Sequence, residues 1–340
     1  MKAALVTGVA GQDGSYLAEL LLSKNYTVYG LARYTSEKKR SRISDLNSNP
    51  EFNLIEGDLT DTARVTSIIN SLNSAYDSIE VYNLGAQSHV KISFDQPEYT
   101  ANVDAMGTLR ILEAIRGTGE IGKFKFYQAG TSEMFGKIQQ PIQNEQTPFY
   151  PRSPYGVSKL FGYWITKNYR ESYNMFACTG ILFNHESERR GEEFVTRKIT
   201  LGLKEWLNSN KTIELGNLDA KRDWGHAEDY VEAMWMMLQQ NKPDDYVIGT
   251  GETHSVREFI NAALEHLGVK YEWRGSTIDE ECVCVDGGNP IIKINPDFYR
   301  PAEVDVLIAD SRKAYEELNW RPKTTFEQLV KRMVDKDVNN

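Results

Sequence analysis

The order of apolar and glycine-rich segments predicts an α/β fold: a doubly wound parallel sheet carrying a smaller α/β domain. Three observations predict it. A short apolar run at the start, KAALVTG, ends in glycine and leads straight into a helix-patterned segment. Apolar segments and amphipathic segments then alternate as far as MFACTGILFN, the rhythm of parallel strands joined by helices. Finally, residues able to do chemistry recur where an apolar segment ends, and ligands collect beyond those strand ends in such sheets.

KAALVTG is continuously apolar rather than alternating, as in a strand buried on both faces. GSYLAELLLSKN places Leu17, Leu20 and Leu21 at helical spacing. Between them stand Gly8, Gly11 and Gly14, a GxxGxxG. Glycines alone also make a plain flexible turn. Here, between first strand and first helix, they let backbone approach a pyrophosphate while the helix N-terminus offers N–H donors. A dinucleotide site is expected. The second strand, YTVYGLAR, selects among dinucleotides: an NAD site of this type ends it with Asp or Glu. Arg33 stands there instead, with Lys38, Lys39, Arg40 and Arg42 beyond. A guanidinium suits a 2′-phosphate by charge and bidentate geometry, so NADP is expected; the plain alternative is a solvated or intersubunit basic loop.

FNLIEGDLTD reads as a third strand ending at Asp58-Leu59, where a carboxylate can accept from an adenine amino group. After the amphipathic DTARVTSIINSLN, SIEVYNLGAQS is a fourth strand, and its small residues from Leu84 through Ala86 to Ser88 let backbone pass close to a cofactor. A long helix, ANVDAMGTLRILEAIRG, precedes the fifth strand in KFKFYQAGTSEMFG, which closes on Thr131, Ser132 and Glu133. SPYGVSKLFGYWITKNY then sets Tyr155 and Lys159 four apart, about 5–6 Å between Cβ atoms on one helix face. A tyrosine with a pKa of about 10 is a poor base at neutral pH, but a neighbouring cation favours the phenolate. Lys159 is expected to make Tyr155 usable. Alone, such a pair is usually a solvated face. Beyond MFACTGILFN the rhythm loosens, through HESERRGEEFVTRKIT, a helix in HAEDYVEAMWMMLQ, one further strand in DDYVIGTG and a closing section with no phosphate loop. The expected division is a dinucleotide domain over 1–183 with a returning segment near 222–250, and a substrate domain over 184–221 and 251–340.

With 340 residues the chain can bury a large core. Its net charge of −9 argues against general polyanion or membrane-surface binding, while leaving room for a local basic pocket. No apolar run reaches membrane-span length, and no signal-like segment follows Met1. Cys178, Cys282 and Cys284 lack metal-site spacing and read as reduced packing thiols, so a cytoplasmic protein is expected. The five histidines form no HxxxH or HxH group; no metal is expected.

Taken in order, GxxGxxG, Asp58-Leu59, GTSE and YxxxK resemble the extended short-chain dehydrogenase/reductase family that acts on nucleotide sugars, over essentially the whole chain. GVAGQDGSYLAELLL, YNLGAQSHVKISFDQPEYT, SPYGVSKLFGYW, ILFNHESERRGEEFVTRKI, GNLDAKRDWGHAEDYVEAMW and YRPAEVD resemble its branch that dehydrates GDP-mannose. The resemblance implies a Rossmann-type fold and a hydro-lyase with NADP as a tightly held cofactor. Its product would be GDP-4-dehydro-6-deoxy-D-mannose, a precursor of GDP-deoxyhexoses such as GDP-fucose and GDP-rhamnose. Carried over by position, it implies catalytic roles for Thr131, Ser132, Glu133, Tyr155 and Lys159. Cofactor contacts would come from Gly8, Gly11, Gln12, Asp13, Gly14, Arg33, Asp58, Leu59, Leu84, Ala86, Ser88, Tyr99, Tyr155, Lys159, His185 and Arg190. The substrate would be held by Ser88, Asn184, Lys198, Arg222, Arg300 and Glu303. A side activity is also expected: the same site holding NADPH would reduce the 4-ketone. The alternatives are a dTDP- or UDP-hexose dehydratase, a 4-epimerase, or an idle NADP-binding protein. A homodimer or homotetramer is implied, but Tyr34 stands where the family has a second arginine in an intersubunit loop. A dimer through the two long helices is therefore favoured over a tetramer.

Overall fold

The computed structural model describes residues 2–34, 40–298 and 306–339. The first half runs β1 (Lys2–Thr7), α1 (Gln12–Ser23), β2 (Thr27–Ala32), β3 (Phe52–Glu56), α2 (Thr62–Ala75) and β4 (Ser78–Asn83). Two short helices, α3 (Val90–Asp95) and α4 (Pro97–Thr100), enter a π-helical turn (Ala101–Ala105) and then α5 (Met106–Gly117). Next come β5 (Phe124–Ala129), α6 (Pro154–Tyr173) and β6 (Phe176–Leu182). The remainder comprises β7 (Asn184–Glu186), α7 (Val195–Ser209), β8 (Ile213–Leu215), β9 (Lys221–Arg222), β10 (Trp224–His226), α8 (Ala227–Leu238) and β11 (Tyr246–Ile248). It closes with β12 (His254–Ser255), α9 (Val256–His266), β13 (Tyr271–Arg274), β14 (Glu281–Cys284), β15 (Pro290–Ile294), α10 (Arg312–Leu318) and α11 (Phe326–Val338).

Seven strands form one sheet in the order β11-β6-β5-β4-β1-β2-β3, every neighbouring pair parallel. Strand order reverses between β1 and β4, and a crevice opens at that switch. Alternation along each strand feeds two cores. Ala4, Val6 and Tyr82 face α1 and α8 on one side, while Leu5, Ile79 and Val81 face α2 and α5 on the other. Leu17 and Leu21 of α1 are fully buried, and truncating either to Ala costs about 2–5 kcal/mol. Although β11 and α8 come late in sequence, they belong to this body: β11 pairs with β6, and α8 contributes Met234, Met237 and Leu238 to the core shared with α1.

A second core gathers Ile199 and Leu203 of α7, Phe259 and Ile260 of α9, and Leu329 and Met333 of α11. These lie on a four-stranded sheet ordered β13-β14-β15-β8, a sheet the sequence reading did not resolve. Its strands are at most five residues long and carry charges on the outer positions, so their alternation is brief and easily taken for loop. Cys282 is buried in β14 and Cys284 half-buried beside it, and both are free thiols, as is Cys178.

Candidate active site

A cavity of about 800 Å³ opens at the C-terminal ends of the parallel strands. Its floor is fixed by Thr7 at the end of β1: the hydroxyl donates to Asn83 Oδ1 at 2.8 Å and accepts the Leu84 and Gly85 N–H groups at 3.0 and 2.8 Å. Gly8 has φ +68°, and a Cβ there would sit 2.9 Å from the Gly85 backbone. At Gly14 a Cβ would come within 2.3 Å of the Gly8 carbonyl. No other residue fits either place. The helix that follows differs from most of its neighbours. Side chains cap α2, α6, α9 and α11, but α1 begins at Gly11 without one, and its first turn lines the cavity. Its unspent N–H donors and positive end make an anion site.

Asp13 in that first turn pairs with His185 at the start of β7, Nε2 to Oδ2 2.8 Å, while the other ring nitrogen meets the Phe183 carbonyl at 2.7 Å. Burial pushes the Asp13 carboxyl up, but the charge and hydrogen bond of His185, with Gln12 and Arg190, together outweigh it and hold the group below its ordinary value. Burial pushes the His185 imidazole down, and Asp13 reverses that, leaving it raised. Gln12 ties the same segments together, donating to the His185 carbonyl at 3.0 Å and accepting from the Ser187 hydroxyl at 2.7 Å.

At the other end of the cavity Arg33 donates to the Tyr99 hydroxyl at 2.6 Å. Asp58 spends Oδ1 on the Thr60 N–H and hydroxyl, 2.8 Å each. Arg42, one of the basic residues after β2, also lines the cavity, donating to the carbonyls of Arg189 and Ala10. Lys38 and Lys39 lie outside the described residues.

The reactive groups converge between β5 and α6. Ser153 caps α6 by accepting the Gly156 N–H at 3.0 Å, and Pro154 follows at the first helical position. This turns Tyr155 and Lys159 inward, both buried. The Lys159 ammonium donates to the Ala129 carbonyl at 3.0 Å and sits 5.9 Å from the centre of the Tyr155 ring. Thr131 accepts the Glu133 N–H at 3.2 Å and lies close enough to Tyr155 to pull its phenol's pKa down. The buried Oε2 of Glu133 has no partner among the described residues.

The expected lowering of the Tyr155 pKa does not follow from these side chains alone. Burial pushes the phenol well above its ordinary value, and the charges of Asp104 and Glu133 add to this against the Thr131 hydrogen bond. Lys159 is itself pushed down by burial, with Asp104 and Asp13 pulling the other way.

A family model described as GDP-mannose 4,6 dehydratase matches residues 5–333. The chain belongs to the GDP-mannose 4,6-dehydratase family. It is 56% identical to the GDP-mannose 4,6 dehydratase of Drosophila melanogaster, the match covering 99% of this chain and 86% of that one. Against the human protein of the same name identity is 53%, covering 98% and 91%. In fold it is similar to the solved structure of DesIV, a dTDP-glucose 4,6-dehydratase from Streptomyces venezuelae with NAD and TYD bound. That match has a TM-score of 0.82 at 21% identity and covers 99% and 97% of the chains.

Within this GDP-mannose 4,6-dehydratase family member, the cavity gathers every cofactor and catalytic candidate named from sequence, together with Asn184. Lys198 and Arg222 lie outside its wall. Lys198, on α7, rests its ammonium 3.8 Å over the Phe298 ring, and burial lowers its pKa; Arg222 lies on β9 opposite His254. Arg300 and Glu303 lie outside the described residues. Two features escaped the sequence reading. Phe194 lines the mouth of the cavity, with Arg190 stacked 3.7 Å above it and the His89 ring 5.6 Å away. Asp104, in the π-helical turn, is buried, accepts the Gln87 N–H at 2.7 Å, and leaves Oδ2 with no partner among the described residues. Burial pushes its carboxyl up to about 6, against the pull of Lys159 and the Gln87 hydrogen bond. The signal for Asp104 was a charged residue on what reads as the buried stripe of a helix.

Proposed function

We propose that this chain dehydrates GDP-mannose to GDP-4-dehydro-6-deoxy-D-mannose, with NADP as its resident cofactor. The observation that carries the reading is Glu133: a carboxylate with a buried oxygen unpartnered among the described residues, lining the same cavity as a buried tyrosine and lysine. An unmet buried acceptor costs about 1–3 kcal/mol, which a hydroxyl of a bound sugar would relieve. Gly8, Gly14 and the uncapped start of α1 suit the pyrophosphate of a dinucleotide, and Arg33 and Arg42 suit its 2′-phosphate. Bound there, the cofactor would supply a hydride acceptor for C4 of the hexose and a hydride donor for C6, so that no net reductant would be consumed.

The chain's own groups move the protons. Tyr155 Oη takes the proton of the O4 hydroxyl, and Thr131, lining the cavity beside it, holds the same oxygen. Oxidation at C4 acidifies the C5 hydrogen. Glu133 removes that proton and gives it to the departing C6 hydroxyl, which leaves as water. Ser132, beside it, orients the leaving oxygen. Asn184, Lys198 and Arg222, with Arg300 and Glu303, are assigned to the GDP portion. The cations among them suit the diphosphate, and the Glu303 carboxylate suits the guanine donors. With NADPH in place, reduction of the 4-ketone by the same site is the corresponding side activity; steady consumption of NADPH in the presence of the keto product would reveal it. The two cores suit a division into a dinucleotide body on the seven-stranded sheet and a GDP-sugar body on the four-stranded one.

We assign the assembly to a homodimer. Val157, Phe161 and Trp164 are exposed one turn apart on α6, with Met106 exposed on neighbouring α5, an apolar stripe of the kind that pairs with a second copy. Trp164→Glu should convert the dimer to monomer in light scattering. Among the described residues no helix is long and apolar enough to cross a membrane, and the three free thiols suit the cytoplasm.

GDP-mannose carrying deuterium at C4 tests the central reading. The label should reappear at C6 of a product lighter by one water. A product that keeps its water, or label lost to solvent, rejects the internal hydride cycle.

A further inference from the structure

Resting on the dinucleotide reading above, we infer that His185 acts as a protonated counter-charge to Asp13, and that this extra proton is what makes the first turn of α1 able to accept a dinucleotide pyrophosphate. Asp13 stands in the first turn of α1, whose open N-terminus lines the cavity beside Gly8. A bare carboxylate there would repel the anion the helix end attracts.

The ring geometry supplies the proton. Nδ1 of His185 lies 2.7 Å from the Phe183 carbonyl oxygen, which can only accept, so Nδ1 carries a hydrogen. Nε2 lies 2.8 Å from Asp13 Oδ2, and that contact is a hydrogen bond only if a second proton sits between them. Nδ1–H with this second proton gives a pair of zero net charge. The ring cannot turn away, because it is stacked on Tyr230 with centroids 4.6 Å apart, and Gln12 fastens the His185 carbonyl at 3.0 Å. The charged and titratable groups around the pair are few. Arg190 pushes His185 down and Asp13 down, Lys159 faces Asp13, and the buried phenols of Tyr127 and Tyr230 stay neutral. The two contacts place the second proton, and Asp13 holds His185 above its ordinary value, so the counter-charge is lost as pH rises through that raised value. Once lost, Asp13 faces the pyrophosphate unopposed.

His185 is thus a positioning residue acting through Asp13, and its signature is in binding rather than turnover. The dissociation constant of NADP+ is to be measured by titration calorimetry from pH 7 to 10, a range in which the arginines remain charged. Affinity should be flat at first and then weaken by about tenfold per pH unit, the slope for one proton. Asp13→Asn should remove that step. His185→Ala should weaken binding about ten- to hundredfold at pH 7, and Asp13→Asn in that background should restore most of it, which loss of packing alone would not do. If a variant does not fold, the profile of the parent and the proton titration of its His185 by NMR still decide, with a His185 midpoint at or below that of a free imidazole counting against the inference. A flat profile, or a step retained in Asp13→Asn and so belonging to Lys159 or Tyr155, overturns it while leaving the dinucleotide reading standing. Absence of binding at every pH overturns both.

Discussion

The proposed site has two sides built in opposite ways: the cavity wall along the sheet, and a second wall on the other body, of which Asn184 lines the cavity while Lys198, Arg222 and Phe298 stand outside its lining. Along the seven-stranded sheet, functional groups come from short stretches of sequence and are locked before any ligand arrives: Thr7 bonded to three groups of the neighbouring strand end, Gly8 against Gly85, Lys159 on the Ala129 carbonyl. On the side of the second body, Asn184, Lys198, Arg222 and Phe298 come from four separate segments, two of them strands of two or three residues. A site made of local motifs holds its geometry through its own strands and helices; one made of distant segments holds it through packing. The sheet wall should therefore carry the chemistry and tolerate little, whereas the other wall should set affinity in smaller steps.

The largest effect expected on this contrast is at Tyr155. Replacing it by Phe removes one oxygen from a fully packed place, so kcat should fall about 10²–10⁴-fold, the usual worth of a placed acid–base group. NADP+ affinity and the melting midpoint should stay near those of the parent. A variant that loses cofactor along with rate would mean that the phenol holds the wall together rather than moving a proton.

Next comes Glu133→Gln. The parent's Oε2 has no partner among the described residues, so the melting midpoint should not drop, while dehydration should slow by about 10²–10³-fold. Exchange of the C5 hydrogen with deuterated water should slow in step. A marked loss of stability with exchange intact would remove Glu133 from the proton path.

How much of this could be read beforehand follows the same divide. The parallel sheet was legible because buried strands such as Ala3–Thr7 are continuously apolar and α1 repeats leucine at helical spacing. Glycines, GTSE and YxxxK were legible because their chemistry is fixed within a few residues. The four-stranded sheet was not, since strands such as Tyr271–Arg274 bury only alternate side chains over one short span. Nor was Asp104, because the π-helical turn at Ala101–Ala105 shifts the register by which its side chain is buried, and a 3.6-residue pattern cannot reveal an inserted residue. The direction of the Tyr155 pKa was missed for a related reason: the sequence shows the lysine four residues away, but not the burial of the phenol or the carboxylates of Asp104 and Glu133 that the fold brings near it.

On the second wall the expected change is smaller. Lys198→Met keeps an unbranched apolar side chain and removes the half-buried ammonium that rests over Phe298. KM for GDP-mannose should rise about tenfold, the worth of one charged contact of roughly 1.4 kcal/mol, with kcat and NADP+ affinity nearly unchanged. A fall in kcat matching that of Tyr155→Phe would erase the distinction between the walls.

The smallest effect, and the one that sharpens the contrast most, is at Asp104. Asn there keeps an acceptor for the Gln87 N–H but removes a buried charge that pushes the Tyr155 phenol up. The rising limb of kcat/KM against pH should therefore move to lower pH, by about one unit or less at the reduced dielectric of a buried site. Stability gives an independent reading of the same charge. Burial raises the folded-state carboxyl to about 6 from an ordinary value of 3.8, so the folded protein keeps this proton longer than the unfolded chain. The parent thus loses stability as pH climbs from about 4 to 6, and the penalty is complete above that window. Asn carries no such penalty. Asp104→Asn should match the parent in melting midpoint near pH 4 and exceed it at pH 8, the gap opening across that window. A gap of the opposite sign would mean that the Asp104 charge is held in place by Lys159 as a stabilising pair, and the acidward move of the rate profile should then be absent as well.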